Sequence, residues 1–456
     1  MQNFKSEDLS SCSESPGEAE ILPSAEHVVH YPNASIHSDT LHLLDDISSL
    51  DNLMDAFKKV KANKGAPGID KMSIAAVKED LSFYLNQIQE QLNTMTFKPS
   101  PVKRVYIPKT SGGKRALGIP TVIDRVVQQA IAQIISPLFD PNFSEYSFGF
   151  RKGRSAHDAV KTAQKFVQDG LKVTLSIDFK QCFDMINHDL LINQIRNRIS
   201  DKRVIRLIAL FLRAGIMDGN QLSSNTKGTP QGGPLSPLLM NIFLDQLDQW
   251  LTQRGFSFVR YADDLTIFLG SPRAAHRLFE NISAFVEKKL KLPINQDKSS
   301  VNSLYTSILG FRLKCDGQLS ISKLNIRSLK HKVKRLTKRN LAWSIPFITK
   351  CLTRILRGWF HYFKIASAKR NFKEIDSWIK RRLRAKLLKQ FKRKKSIFKR
   401  LNKRINPRLA RSIAFSHKGI WRLAKSIPMH QAYRNSFFNW VLHLFSLSIA
   451  YKSFRA

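Results

Sequence analysis

The sequence predicts an α+β fold, and three observations carry that prediction. Two short apolar runs, Phe256 to Tyr261 and Leu265 to Leu269, flank Asp263-Asp264 and read as a β-hairpin with acids at its turn. Residues 171 to 178, Leu-Lys-Val-Thr-Leu-Ser-Ile-Asp, alternate in character and read as a strand that ends in Asp178. From about residue 325 onward the apolar residues recur at helical spacing instead.

Taken in chain order, residues 1–48 are rich in Ser, Glu, Pro and His, show little periodicity, and read as an acidic disordered extension. Helical patterning begins near Leu50 (Leu53, Phe57, Val60) and resumes after the Gly65 to Asp70 loop through Val77 to Leu92, which makes 49–100 a helical unit. From Val102 the chain turns to strands and loops. The unit 101–320 then runs through a helix at 155–168, the strand at 173–177, further helices, the hairpin, a helix at 274–290 and closing strands. Residues 321–400 read as helical, and 401–456 as a small basic C-terminal segment. The 456 residues suit two or three domains with separate cores.

Charge narrows the partner class. The chain has 75 Lys and Arg against 35 Asp and Glu, a formal +40, yet the first 50 residues hold nine acids and one base, Lys5. Residues 321–420 carry 32 basic residues against only Glu374 and Asp376. Such an excess needs a polyanion or a dense counterion atmosphere. A basic run can be a solvated tail. Here the bases alternate with Leu, Trp, Phe and Ile, as in Trp378 to Phe391, so the segment can fold as amphipathic helices with a cationic face.

The four cysteines (Cys12, Cys182, Cys315, Cys351) form no Cys-x-x-Cys pair, which argues against a zinc module or a disulfide framework and suits a reducing cytosol. The longest late apolar run, Trp440 to Tyr451, is broken by His443, Ser446 and Ser448, whereas a membrane span needs about 20 apolar residues. No membrane partner is expected. A cytoplasmic protein associated with RNA or the nucleoid is.

An Asp-Asp turn by itself is most often a solvated hairpin end. Its ordered company changes the weight. Asp178 precedes it; Gly228-Thr-Pro-Gln-Gly-Gly-Pro-Leu-Ser-Pro237 opens into the apolar run Leu238 to Leu247; and Leu292-Pro-Ile-Asn-Gln-Asp-Lys298 and Ile308-Leu-Gly-Phe311 follow. This set resembles the polymerase motifs of reverse transcriptases, specifically the reverse transcriptase/maturase proteins encoded by group II introns. Asn63-Lys-Gly-Ala-Pro-Gly-Ile-Asp70 is similar to that family's N-terminal extension motif, and Arg104-Val-Tyr-Ile-Pro-Lys109 with Gly112 to Thr121 to its fingers. Phe148-Gly-Phe-Arg-Lys-Gly-Arg-Ser-Ala-His-Asp158 resembles its next block, Arg357 to Phe363 and Trp378 to Arg384 its thumb or maturase X region, and His417 to Arg422 its C-terminal end.

The resemblance implies a right-hand polymerase: fingers and an antiparallel palm sheet over 101–320, preceded by the 49–100 extension and followed by a helical thumb/X domain. It implies RNA-directed DNA synthesis with two Mg²⁺ ions, on an RNA template expected to be the chain's own intron RNA, with a DNA primer or target and dNTPs. Asp178 and Asp263 would bridge the ions, Asp264 would be a less direct ligand, and Phe179 would add its backbone carbonyl. Mg²⁺ takes hard oxygen ligands and keeps several waters, so a few carboxylates and substrate phosphates suffice.

Phe183 would lie under the incoming sugar and exclude a 2′ hydroxyl. Lys109 and Arg115 would neutralise triphosphate oxygens, Gln231 would pack near the nascent pair, and Lys298 would protonate the leaving pyrophosphate. Asp184 and His188 read as structural partners at a helix start. Arg357, Trp359, Tyr362 and Phe363 read as helix packing more than as a base-stacking platform. Arg381, Arg382 and Arg384 are expected to contact nucleic acid. Lys71 stands where the family often has Gly, and nothing after residue 430 resembles its His-Asn-His endonuclease, so target cleavage is not expected. Two other readings stay open: a related polymerase serving phage defence or DNA repair, and a non-catalytic splicing maturase, against which the intact carboxylates speak.

Overall fold

A computed structural model describes residues 40–108, 113–230, 232–303 and 305–455. Among the described residues, eleven strands form three sheets. The first, in the order β2-β1-β4-β5, joins β1 (Val102–Pro108) and β2 (Lys114–Ile119) to β4 (Ile216–Asp218) and β5 (Gln221–Ser223). The second, β6-β7-β3-β8, joins β3 (Val173–Ile177), β6 (Ser257–Tyr261), β7 (Asp264–Leu269) and β8 (Ser300–Asn302), all antiparallel. The third is the meander of β9 (Tyr305–Ile308), β10 (Phe311–Lys314) and β11 (Leu319–Ile321). The expected α+β architecture, an antiparallel palm sheet followed by helices, is what the chain forms.

The palm sheet is sandwiched. On one face Leu175, Ile177, Phe258, Leu265 and Ile267 join a core built with the helices Val122–Phe139 and Ser236–Gln253. On the other, Val259 and Phe268 meet Val160, Ala163 and Phe166 of the helix Ala156–Gln168 and continue into the core of the C-terminal helices. Both faces of the hairpin are covered, which is why Leu265 to Leu269 reads as a mostly apolar run and not as an alternation.

Two sequence boundaries move. Residues 43–48, placed in the disordered extension, form a helix whose Leu43, Leu44 and Ile47 are buried. Asp201 accepts from the Leu44 amide at 3.0 Å, and Arg203 pairs with Asp45 at 3.0 Å, so the acids that looked like extension composition are anchors. Nor does packing break near residue 400. Leu401, Ile413, Met429, Phe438 and Leu447 bury in one core with Leu352 and Leu383. Asp376, on the helix Lys369–Gln390, accepts from the Leu447 amide at 3.0 Å, the Ser448 amide at 2.9 Å and the Ser446 hydroxyl at 2.7 Å, capping the last helix, Leu447–Arg455. Among the described residues no helix is long and apolar enough to cross a membrane.

Candidate active site

Sheet register brings the carboxylates together. β3 pairs with β7 so that Ile177, the residue before Asp178, faces Leu265, the residue after Asp264, and Asp264 pairs with Tyr261 across the hairpin. Both acidic elements therefore end at the same edge of the palm. The turn is tight: Ala262 has φ 61, and Gly149 packs against its backbone so closely that a Cβ on Gly149 would stand 3.0 Å from the Tyr261 carbonyl carbon and closer still to the Ala262 amide nitrogen.

Asp178 is seated by the segment after the hairpin. Its amide donates to the Ser299 hydroxyl at 3.1 Å, its carboxylate accepts from Asn295 Nδ2 at 2.9 Å, and Lys298 Nζ lies 3.9 Å away. Phe179 is buried and bridges to Ile294. Lost hydration pushes the Asp264 carboxyl up to about 6, helped by the negative charges of Asp263 and Asp178 and opposed by Arg115. The Asp264 residue is nonetheless exposed to solvent, while Asp263 is the acid that lines the neighbouring cleft.

Asp264 thus sits beside two further negative charges, which a divalent cation would relieve. Among the described residues no group of three or more His, Cys, Asp or Glu is placed to hold a metal ion, so Asp178, Asp263 and Asp264 do not stand as a ready-made ligand set. Carboxylate oxygens are the hard donors that Mg²⁺ takes, and it completes its shell with water or phosphate oxygens.

Beside the acids lies a cleft of about 520 Å³, whose walls include Arg115, Phe183, Gly232, Ala262 and Asp263. Phe183 is placed by the glycine loop: the Thr229 amide donates to its carbonyl at 2.7 Å, and Gly228, at φ 82, lies against the Asp184 backbone. His188 holds the Gly228 carbonyl at 2.7 Å, the structural part expected of it. Gly232, in the cleft wall, lies on the carbonyl of Gly118 in β2, where any side chain would collide. Lys109 and Gln231 lie outside the described residues.

Sequence reasoning missed several members of this site. Phe150, 58% exposed and at φ 59, faces the cleft, as does Arg125, which donates to the Ala66 carbonyl at 2.7 Å and holds the loop of Asn63 and Gly65 in the wall. An exposed Phe after Phe148-Gly149 was the available signal. Arg260, immediately before the carboxylate turn, is wholly buried against Asp248; a polar residue at 248 in an apolar helix run was its signal.

The basic C-terminal half needs one correction. Arg384, expected to contact nucleic acid, is 1% exposed, and it donates to the Tyr433 carbonyl at 3.0 Å and to Asn435 Oδ1 at 3.1 Å. It is an internal strut. Arg382 donates to Thr337 and Arg381 to the Trp421 carbonyl, stacking 4.0 Å over that ring, so both are also partly engaged within the protein. Trp359 and Phe363 pack ring to ring at 4.9 Å, and the Tyr362 hydroxyl donates to the Leu309 carbonyl, as helix-packing residues would.

A palm sheet edged by three acids, a nucleotide-sized cleft and a cationic helical region define the class of template-directed nucleic-acid polymerases. Residues 107–313 match the family described as reverse transcriptase (RNA-dependent DNA polymerase), and 326–405 match the group II intron maturase-specific domain. The chain is 31% identical to protein YkfC of Escherichia coli K12 over 57% of its own length and 78% of that protein. It is 38% identical to the group II intron-encoded protein LtrA of Lactococcus lactis over 45% of this chain and 34% of LtrA, and 31% identical to a protein ascribed to intron 2 of COX1/OXI3 in Saccharomyces cerevisiae over 62% and 40%. The chain belongs to the group II intron-encoded reverse transcriptase/maturase family. It spans well under half the length of LtrA and of the yeast protein.

Proposed function

We propose that the chain is an RNA-directed DNA polymerase that extends a DNA primer with dNTPs on an RNA template, and that its C-terminal helices bind that RNA, expected to be a group II intron whose splicing it assists. The observation that carries this reading is the convergence of Asp178, Asp263 and Asp264 at one sheet edge beside a cleft shared by Arg115 and Phe183. Asp178 and Asp263, with Asp264 and the Phe179 carbonyl, would hold two Mg²⁺ ions. Bound there, the ions would acidify the primer 3′ hydroxyl and stabilise the attacking and leaving oxygens.

The chain's own groups do the rest. Arg115 supplies positive charge to the triphosphate. Phe183 limits the sugar. Lys298, whose Nζ lies 3.9 Å from Asp178, would protonate the leaving pyrophosphate. Lys109 and Gln231 keep their expected parts, phosphate neutralisation and packing by the nascent pair.

Asp263→Asn removes a charge and little volume. It should abolish Mg²⁺-dependent extension of a primer on an RNA template while leaving RNA affinity within about twofold. Extension at the wild-type rate by this variant would remove Asp263 from the chemistry.

A further inference from the structure

The helix Ser236–Gln253 carries Asn241, Asp245 and Asp248 on one buried face. Opposite them the Arg260 guanidinium, with 0% side-chain exposure, is almost fully used. Its Nε donates to Asp248 Oδ1 at 2.7 Å and Oδ2 at 2.9 Å, and its Nη2 to Oδ2 at 2.5 Å. Its Nη1 donates to Asn241 Oδ1 at 3.0 Å and to the Ala262 carbonyl at 2.9 Å. Asn241 passes the link onward, its Nδ2 donating to the Gly149 carbonyl at 2.8 Å, and Gly149 is the residue packed on the Ala262 backbone. The Arg260 backbone joins in, donating to the Tyr146 carbonyl and accepting from the Phe148 amide, both at 2.9 Å.

We propose that Arg260 is a positioning residue for the carboxylate turn: with Asp248 as its counter-charge and Asn241 as a strut to Gly149, it fixes the Ala262 backbone and so sets where Asp263 and Asp264 project. Stability alone does not account for the arrangement. A buried ion pair can usually be replaced by apolar residues of similar volume without loss, because desolvation offsets the attraction. No apolar side chain, however, can donate to the Ala262 carbonyl and hold a non-glycine residue in the left-handed region between two strands. The guanidinium does both while remaining charged: burial opposes its charge, and its acidic neighbours, Asp248 first and Asp245 behind it, together hold it.

The inference rests on the polymerase reading, and its test separates the two. Arg260→Met alone strands the Asp248 charge in the core and is expected to unfold the palm. The informative variant is therefore Arg260→Met with Asp248→Leu, which removes both charges together, accompanied by Asn241→Ala, which leaves the ion pair and cuts only the strut. Each is measured for melting temperature, RNA affinity, hydrogen exchange of the 258–268 peptide without metal, and primer extension across a Mg²⁺ titration.

The expected result is a double variant that melts within a few degrees of wild type and binds RNA equally. Its hairpin-turn amides should exchange at least tenfold faster, its kcat should fall at least tenfold at unchanged KM for RNA–primer, and half-saturation should move to higher Mg²⁺. Asn241→Ala should shift the same readouts in the same direction by less. If whichever variant folds keeps wild-type exchange at the turn and wild-type Mg²⁺ dependence, Arg260 is a core strut and the proposal falls. Should the double variant not fold at all, Asn241→Ala decides alone by those same two readouts. A wild-type protein that extends no primer overturns the polymerase reading instead, while the metal-free exchange comparison still tests whether Arg260 orders the turn.

Discussion

Phe183 borders the cleft together with Arg115 and Asp263, so its ring limits the space beside the acids where the sugar of an incoming nucleotide would lie. Phe183→Ala should lower the preference for deoxyribonucleotides over ribonucleotides by roughly 10- to 200-fold, the range that steric fit of a small group commands in a pocket. The ratio of kcat/KM for the two sugars measures it, and an unchanged ratio would take Phe183 out of the sugar site. Asp245 makes a different prediction. Burial, then the neighbouring Asp248 charge, pushes its carboxyl up to about 7 from an ordinary 3.8, against the Gln249 amide and the charges of Arg260 and Arg198. A folded-state pKa above the unfolded one means that the folded protein keeps a proton the unfolded chain has lost. Stability from this group is therefore full below about pH 4 and declines as pH rises through about 7. Asp245→Asn keeps an acceptor for Gln249 and cannot ionise, so its stability relative to wild type should climb across that window by about 2–4 kcal/mol. Denaturant melts at pH 4, 5.5 and 8 would reveal the slope, and a difference independent of pH would contradict it. The three acids of the cleft were legible in the sequence because they must sit at a strand end and a turn, and both carry strong local patterns. Arg260 and Asp248 were not, since a pair twelve residues apart becomes a pair only when strand packs on helix.

At the scale of elements, legibility followed length and period. The hairpin of β6 and β7, and β3, could be read because apolar runs and alternation persist over five or six residues. β4 and β5, three residues each, carry too few positions for any period, and they complete the fingers sheet only because β1 offers an edge beside β4. The C-terminal helix Leu447–Arg455 was missed as part of the thumb core for a related reason. What docks it is not a pattern of its own but Asp376, one of two acids in a hundred-residue basic stretch, whose carboxylate receives two hydroxyls and two amides at the helix start. Asp376→Ala would leave those donors without an acceptor in a buried setting and remove the charge facing Lys380. Hydrogen bonds to a charged acceptor contribute about 1.5–3 kcal/mol each, shared among donors that water can partly satisfy, so a loss of about 2–4 kcal/mol is expected. Residues 440–455 should become the first site of limited proteolysis. Cleavage no faster than in wild type, with an unchanged melt, would mean that apolar packing of Leu447 and Tyr451 holds the helix without the cap.

Across the whole molecule, charge is segregated: residues 321–420 have 32 bases and two acids, on helices whose apolar faces close one core. Sequence could show that this face is cationic, not which arginines turn inward. Arg384 does, and it holds the Tyr433 carbonyl, whereas Lys394, Lys395 and Lys399 of the helix Lys394–Asn402 stay exposed. The two kinds of base should therefore respond to different experiments. Each phosphate neutralised on single-stranded RNA releases counterions, so log affinity should fall linearly with log salt, with a slope near −0.7 per contact. Replacing Lys394, Lys395 and Lys399 with Glu should weaken RNA binding and flatten that slope by up to about 2, with the melting temperature nearly unchanged. The same variant should still extend a short preannealed primer at high enzyme concentration, because Asp178 and Asp263 lie in the palm and keep their surroundings. Arg384→Ala should do the reverse. It removes an internal strut, so the melt should shift downward, while the salt slope of whatever remains folded should match wild type. Equal RNA affinity of the triple Glu variant at every salt concentration would make that helix a solvated face and move the RNA platform elsewhere on the thumb.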